Sequence, residues 1–231
     1  MRRSTGGSRL HSVYEILFSG FGPQGWWPAR TSFEVAVGAI LTQNAAWSNV
    51  EKAIANLESE GLLLPDAMRG VSEKRLARLI RPSGYFNIKA KKLKAFVNFM
   101  FDEFGGDLKA MREDGLKELR SKLLSVWGVG PETADSILLY ALEKPSFVVD
   151  AYTKRLFCRL GVLDGSESYD EVKRLFEENL PKSVELYNEY HALIVEQCKR
   201  ACLKSRPRCG ECLLRAYCRF KPSSSPTRPR P

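Results

Sequence analysis

Four cysteines near the C-terminus have the types and spacing needed to bind a metal group. The chain contains six cysteines, and four of them fall in one short segment: Cys202, Cys209, Cys212 and Cys218. Thiolates held this close in sequence can ligate either a 4Fe-4S cluster or a tetrahedral zinc ion. The spacing alone does not choose between these two groups. A disulfide framework is not expected in a cytosolic chain of this size.

A carboxylate, Asp150, follows the apolar run Phe147-Val148-Val149 and precedes a segment of helical periodicity that begins at Ala151. In this position it could project into a cleft, stabilise a developing positive charge and orient a water molecule. It could equally be a simple N-cap for the helix that follows, a role that aspartate fills well. The two roles are compatible.

A glycine-rich turn joins two apolar helical segments. Gly128 and Gly130 flank a valine, and Pro131 then occupies the first position of the next helix. Glycines allow a phosphate to approach the unpaired backbone N–H groups at a helix start, which would grip a nucleic-acid backbone without reading bases. The alternative is an ordinary helical hairpin. The acid at Glu132 fits either interpretation, because the helix dipole favours a carboxylate in the first turn by about 0.3–1 kcal/mol.

Helical periodicity dominates the elements that must position these residues. Apolar residues recur at helical spacing through most of the chain, and no convincing alternating strand appears, which predicts an all-α fold of about ten helices. Thr31 and Ser48 each stand three residues before a glutamate, which predicts capping boxes at two helix starts. Residues 222–231 are rich in Ser, Pro and Arg, which predicts a disordered basic tail.

The net charge of +9 is concentrated at one end of the chain. From Cys198 onward there are ten Lys or Arg residues and one acid, Glu211, so the rest of the chain is balanced. A basic segment of this kind indicates a polyanionic partner, or else a solvated tail. Charges interrupt every apolar run, and no apolar signal-peptide core follows the basic start, so we expect no membrane association and a cytoplasmic, nucleoid-associated location.

Three sequence motifs resemble those of one protein family. They are residues 123–135, which contain the Gly-Val-Gly turn and are followed by Val149-Asp150; residues 41–44, Leu-Thr-Gln-Asn; and residues 84–91, Gly-Tyr-Phe-Asn-Ile-Lys-Ala-Lys. In this set and order they resemble the helix-hairpin-helix DNA glycosylases of the endonuclease III superfamily. The resemblance extends over about residues 25 to 220 and is specific.

The resemblance implies two helical lobes with a central cleft, a helix-hairpin-helix motif and a C-terminal iron–sulfur loop. The domains would be a helical barrel at 29–143 with the hairpin, and a cluster-containing lobe of 1–28 plus 144–221, followed by the tail at 222–231. It chooses the 4Fe-4S cluster over zinc for the four cysteines. The expected partner is double-stranded DNA containing damaged bases, and the expected state is a monomer.

The implied activity is that of a base-excision-repair glycosylase, which flips a damaged base and hydrolyses its N-glycosidic bond. Asp150 is the catalytic aspartate by resemblance. Bifunctional members of the family carry, at the position of Glu132, a lysine that forms a Schiff base with the sugar. A carboxylate cannot form that imine, so the resemblance predicts a monofunctional enzyme.

Tryptophans and polar residues complete the predicted site. The Trp-Trp-Pro segment followed by residues 41–44 resembles the bacterial 3-methyladenine glycosylases, although this chain keeps the four cysteines, which some members of that branch lack. The predicted base pocket is Trp26, Trp27 and Trp47, where indoles would gain cation–π energy from a methylated purine; the alternative is that they are core or surface anchors. The predicted DNA contacts are Gln43, which would fill the gap left by the flipped nucleotide, Asn44, Gly128, Gly130, Lys89 and Lys91.

Two other functions remain open from the sequence. One is a bifunctional, endonuclease III-like glycosylase and lyase on oxidised pyrimidines that uses a different lysine, for which Lys144 and Lys154 are near in sequence. The other is a catalytically silent protein that binds DNA damage, because hairpin modules also occur in non-enzymes.

Overall fold

Helices account for all regular secondary structure in the computed structural model, which describes residues 4–25 and 29–220, and no strand occurs in those ranges. This confirms the predicted all-α class. The α-helices are α1 Ser4–Phe21, α2 Ser32–Leu41, α3 Trp47–Ser59, α4 Pro65–Gly70, α5 Glu73–Leu79, α6 Phe86–Phe104, α7 Leu108–Glu113, α8 Leu116–Ser125, α9 Pro131–Ser136, α10 Ala151–Leu160, α11 Tyr169–Asn179 and α12 Val184–Arg200. No helix in the described ranges is long and apolar enough to cross a membrane.

Shorter helical turns extend this framework. A π-helical segment, Ile137–Ala141, continues α9, and its register is visible in the bond from the Leu142 N–H to the Ile137 carbonyl at 3.1 Å. The 3₁₀ turns are Arg81–Ser83, Cys209–Glu211 and Arg215–Tyr217.

The chain divides into two compact units, which we call the middle unit, Trp27–Val148, and the terminal unit, Met1–Trp26 together with Val149–Pro231. The roles predicted for the two domains, a helical barrel and a cluster-containing lobe, stay predictions.

The middle unit has one continuous apolar core. Helices α2, α3, α6 and α8 and the π-helical segment after α9 each direct buried apolar residues into it, and α2 is almost entirely buried. Thr31 caps α2 by accepting the Glu34 N–H at 3.1 Å, but the Glu34 carboxylate accepts from Arg30 rather than from the cap backbone. The capping box predicted at Ser48 is wrong, because α3 begins at Trp47 with Ala46 as its N-cap, so Ser48 lies inside the helix and no side chain caps its start.

The terminal unit packs α1 and α10–α12 around an aromatic cluster. The rings of Phe157, Phe176 and Tyr190 meet edge to face, with centroids 4.9–6.3 Å apart. The buried Tyr190 hydroxyl donates to the Leu10 carbonyl at 2.6 Å, which satisfies its polar atom and ties α12 to α1. Edge-to-face pairs of this kind stabilise a core by about 0.5–1.5 kcal/mol beyond their buried area.

Candidate active site

The glycine turn lies between α8 and α9 and forms a helical hairpin. Gly128 has φ +84°, in the left-handed region that glycine enters without strain, and the Val129 N–H closes the turn on the Val126 carbonyl at 3.0 Å. Gly130 is the N-cap of α9 and contributes no side chain to that helix start, while Pro131 occupies the first turn. The backbone at this start is therefore not covered by a capping side chain, as binding to a phosphate requires.

The side chain of Gln43 is bonded to this hairpin. Its Nε2 donates to the Gly128 carbonyl at 3.1 Å and to the Thr133 hydroxyl at 2.8 Å, and Lys92 donates to its Oε1. A Cβ on Gly128 would lie 2.4 Å from the Cγ of Lys92, so the turn and α6 are in close contact. Gln43 thus joins the segment after α2 to the predicted DNA-gripping loop. Its predicted role in filling the gap in DNA stays a prediction.

Lys89 does not present its charge to solvent, which corrects the prediction that it contacts DNA directly. Its side chain is 2 % exposed, and Nζ donates at 2.7 Å to the carbonyls of Leu41 and Ser83. Burial, followed by the charge of Lys92, lowers the pKa of Lys89 from 10.5 to about 8. Lys89 therefore holds the end of α2 against the turn before α6, whereas Lys91 is exposed and is available to a phosphate.

Asn44, which follows Gln43, and Tyr85 both have left-handed backbone conformations, which asparagine tolerates and an aromatic residue rarely adopts. Asn44 has φ +52° and Tyr85 has φ +47°, and the Tyr85 side chain is 70 % exposed. A bulky residue in this region is strained unless its surroundings enforce it. Strained backbone of this kind is concentrated at functional sites, and the only local sequence signal for it is the preceding Gly84.

Glu132 lies in the first turn of α9 and its side chain is exposed. The Ser136 hydroxyl donates to the Glu132 carbonyl at 2.7 Å, so the backbone here is firmly helical. A carboxylate in this turn interacts favourably with the helix dipole. It supplies no amine for Schiff-base chemistry.

Asp150 is the N-cap of α10, as one of the two sequence interpretations predicted. Its Oδ1 accepts from the Thr153 N–H at 2.7 Å and from the Thr153 hydroxyl at 3.0 Å. The residues before it, Val148 and Val149, are buried and lie outside any helix, and Asp150 itself has extended backbone dihedrals. The carboxylate is mostly buried, with 13 % of the side chain exposed.

The second oxygen of Asp150 faces a histidine that the sequence analysis missed. His191 on α12 places Nε2 3.4 Å from Oδ2 of Asp150, and the His191 side chain is 8 % exposed. Burial raises the pKa of Asp150, but His191 and Thr153 outweigh this effect, and the net pKa is below the usual value of 3.8. The carboxylate is therefore anionic at neutral pH, as the stabilisation of a positive sugar requires.

Two of the three predicted base-pocket residues, Trp26 and Trp27, lie outside the described residues. Trp47 begins α3 and packs, partly buried, against the core of the middle unit. It also borders a pocket of about 140 Å³ whose charged lining is Glu34, Glu51 and Glu58. Trp47 therefore packs against the core of the middle unit and also borders a small pocket lined by carboxylates.

The four C-terminal cysteines lie near one another in the terminal unit. Burial raises the pKa of the Cys212 thiol, and the neighbouring thiols Cys202, Cys218 and Cys209 raise it further. In the described residues no three Cys, His, Asp or Glu side chains are gathered tightly enough to hold a single metal ion. Four cysteine thiols in one loop are the donor set that a 4Fe-4S cluster uses, one thiolate to each iron.

Neighbouring side chains donate to the sulfurs of this set. Nη1 of Arg159 lies 3.1 Å from Sγ of Cys202, and Nε2 of Gln197 lies 3.0 Å from Sγ of Cys212. Arg159 also donates to the carbonyls of Leu203 and Lys204, which fixes the start of the loop. Donors of this kind stabilise thiolates, the form in which cysteine binds iron.

Comparison with known proteins identifies the family. Residues 37–182 match the model of the HhH-GPD superfamily of base excision DNA repair proteins. A protein of Methanocaldococcus jannaschii that carries the provisional name DNA repair glycosylase is 52% identical over 213 residues, which are 92% of this chain and 96% of that protein. Endonuclease III of Sulfolobus acidocaldarius is 29% identical over 192 residues, 83% of each chain. The chain belongs to the HhH-GPD superfamily and is a DNA glycosylase.

Solved structures support the same fold. The structure of Helicobacter pylori 3-methyladenine DNA glycosylase bound to 1,N6-ethenoadenine matches with a TM-score of 0.72 at 29% identity, covering 84% of this chain and 97% of that one. An endonuclease III–DNA complex matches with a TM-score of 0.79 at 22% identity, covering 92% and 95%. At 22% identity, the similarity to the endonuclease III complex establishes the fold alone.

Proposed function

We propose that this chain is a monofunctional glycosylase, which flips an alkylated purine such as 3-methyladenine from double-stranded DNA and hydrolyses its N-glycosidic bond. The observation that carries this proposal is Glu132, a carboxylate at the position where bifunctional members of the resembling family have the Schiff-base lysine. Without that amine, water is the nucleophile and the product is an abasic site.

The contacts of two other lysines support a monofunctional reaction. Nζ of Lys144 donates to the Asp114 carbonyl at 2.6 Å, and Nζ of Lys154 donates to the Glu167 carbonyl at 2.9 Å. Both side chains are half-buried. An ammonium group held by a carbonyl must break that bond and lose a proton before it attacks a sugar. The two lysines nearest Asp150 in sequence are therefore poorly prepared for lyase chemistry.

Asp150 would provide the charge that the reaction needs. Cleavage of the glycosidic bond leaves positive charge on the deoxyribose, and a fixed carboxylate stabilises it without reorganising during the reaction. An oxygen of this carboxylate can also accept a proton from the attacking water. A methylated purine carries a positive charge and leaves readily, so a separate strong acid is not required.

The preference for an alkylated purine is supported by the aromatic segment and by one structural relative. The Helicobacter pylori enzyme was solved with a modified adenine, and it is 29% identical to this chain. In our proposal Trp26, Trp27 and Trp47 stack on the flipped base. Of the carboxylates beside Trp47, Glu58 is paired with Arg30, and the negative charge of Glu34 and Glu51 would favour a cationic base over a neutral one.

We further propose that Cys202, Cys209, Cys212 and Cys218 hold a 4Fe-4S cluster. When bound, the group would cross-link the loop and contribute no bond-breaking step. The exposed cations around the cysteines would bind DNA phosphates, and they are Lys204, Arg206, Arg208, Arg215 and Arg219. The enzyme would act as a monomer in the cytoplasm, on nucleoid DNA, and light scattering tests the first of these points.

The experiment is single-turnover base release from duplexes that carry methylated, oxidised or deaminated bases. We expect release of 3-methyladenine and intact abasic strands. Asp150→Asn should lose release while keeping the helix cap, because asparagine caps as well as aspartate, and should still bind abasic DNA. Release unchanged in Asp150→Asn would overturn the mechanism.

Borohydride trapping separates the alternatives. A covalent protein–DNA adduct on oxidised pyrimidines would favour the bifunctional enzyme. Tight binding to damaged duplexes without release of any base would favour a silent damage-binding protein, and the charged, mostly buried Asp150 argues against that outcome.

A further inference from the structure

The Asp150 carboxylate is held on both of its oxygens by different helices. Oδ1 accepts two bonds from Thr153 within α10, and Oδ2 faces Nε2 of His191 on α12 at 3.4 Å. A capping aspartate needs only the first set of contacts. The approach of a second polar group from another helix, at a mostly buried position, has no function in capping.

The contacts also identify which oxygen is available for chemistry. An ionised carboxylate offers about four acceptor sites, two on each oxygen. The two bonds from Thr153 fill those of Oδ1. Oδ2 has one site directed to His191 and one site open, and the side chain keeps 13 % exposure through which a sugar or water can reach it.

We propose that His191 is a positioning residue, whose Nε2–H fixes the plane of the Asp150 carboxylate and directs Oδ2 toward the deoxyribose. The proposal rests on the proposed function. In this role His191 acts on the reaction only through Asp150. The 3.4 Å separation is long for a hydrogen bond, and we expect it to shorten when DNA is bound.

The surroundings of the pair support a positioning role. His191 is buried near the middle of α12, where an apolar residue would pack without leaving a polar atom to satisfy. The contribution of His191 to keeping the Asp150 carboxylate ionised exceeds that of either contact from Thr153. The chain has only two histidines, and the other, His11 on α1, is exposed and pairs with Glu15.

Kinetics of three variants test the proposal. His191→Phe keeps a ring but removes the donor, and we expect single-turnover base release to fall about 10- to 100-fold, as for a lost hydrogen bond to a charged group. Affinity for abasic DNA should stay within about two-fold, because the loss concerns only the chemical step. His191→Gln places an amide N–H near the same position and should recover most of the rate. His11→Ala is the matched control and should release base at the wild-type rate.

An NMR measurement tests the contact without relying on activity. Nitrogen-edited spectra contain only two histidine ring systems, and Asp150→Asn should shift the ring signals of His191 and leave those of His11 unchanged. This readout remains available if the wild-type protein releases no base, an outcome that would refute the proposed function and not the contact. The positioning role is refuted if folded His191→Phe releases base at the wild-type rate, or if Asp150→Asn leaves the His191 signals in place.

Discussion

Asp135 on α9 forms the most buried ionic contact of the hairpin. Its carboxylate has no exposed surface, and it accepts two parallel bonds from Arg120 on α8, at 2.9 and 3.1 Å. The buried Ser146 hydroxyl donates to the same carboxylate at 2.6 Å. These bonds join both helices of the hairpin to the segment that follows the π-helical turn.

We predict that Asp135→Ala lowers the free energy of unfolding by about 3–5 kcal/mol, the usual result of removing one partner of a buried ion pair. The components agree with this total. Losing the partner of the Ser146 hydroxyl costs about 1–3 kcal/mol, and losing a bond to a charged group costs about 1.5–3 kcal/mol. The Arg120 side chain is 20 % exposed, so water still solvates part of the guanidinium after the substitution, and the cost stays below the upper sum of these two contributions. A change of about 4 kcal/mol corresponds to a Tm lower by roughly 8–16 °C in a chain of this length.

Urea unfolding followed by circular dichroism measures this cost, with Glu60→Ala as the matched control. Glu60 pairs with Arg75, and both side chains are at least 41 % exposed, so its loss should cost under about 1 kcal/mol. A double-mutant cycle with Arg120→Ala isolates the pair itself. A cost for Asp135→Ala no larger than that for Glu60→Ala would refute the view that this pair holds the hairpin together.

Three further predictions concern the turn, a buried lysine and the cysteines. Gly128→Ala should destabilise the protein by at least about 1–2 kcal/mol in thermal melts, because φ is +84° and the added Cβ would meet the side chain of Lys92. Gly130→Ala is the control and should melt as the wild type does, because φ is −93° and the space around the added Cβ is open. The pKa of Lys89 is lowered from 10.5 to about 8, so between these pH values the unfolded chain binds a proton at Lys89 that the folded protein does not. The free energy of unfolding should therefore rise with pH in this range, by up to about 1.4 kcal/mol per pH unit. Lys89→Met should lack this rise in urea titrations from about pH 8 to 10. Cys209→Ser should purify with less iron than the wild type, and Cys158→Ser, at a cysteine outside the spaced set, should keep it; equal iron in both would contradict the ligand assignment.

The sequence predicts those parts of the fold that depend on local chemistry. Periodicity predicted the observed start of α10 at Ala151, and the preceding Asp150 was predicted as its cap. Pro131 marked the start of α9, as its missing N–H allows. These features are decided within a few residues of chain, so the pattern of a short segment is enough to find them.

Other features depend on contacts between distant segments. Lys89 lies in a polar motif that favours a surface position, and only the folded chain brings the Leu41 carbonyl to its Nζ. His191 lies in an apolar stretch of α12, and nothing nearby in sequence indicates that Asp150 faces it. The left-handed backbone of Tyr85 opposes the preference of an aromatic residue, so tertiary packing must enforce it.

The capping role of Asp150 links two properties that enzymes often have to trade against each other. Stabilising substitutions commonly reduce activity, because groups prepared for chemistry tend to be held in unfavourable surroundings. In the proposed mechanism, the bonds that orient the catalytic carboxylate are the same bonds that cap α10. In that mechanism a substitution that strengthens this helix start does not have to slow base release, and one that loosens it lowers both stability and activity.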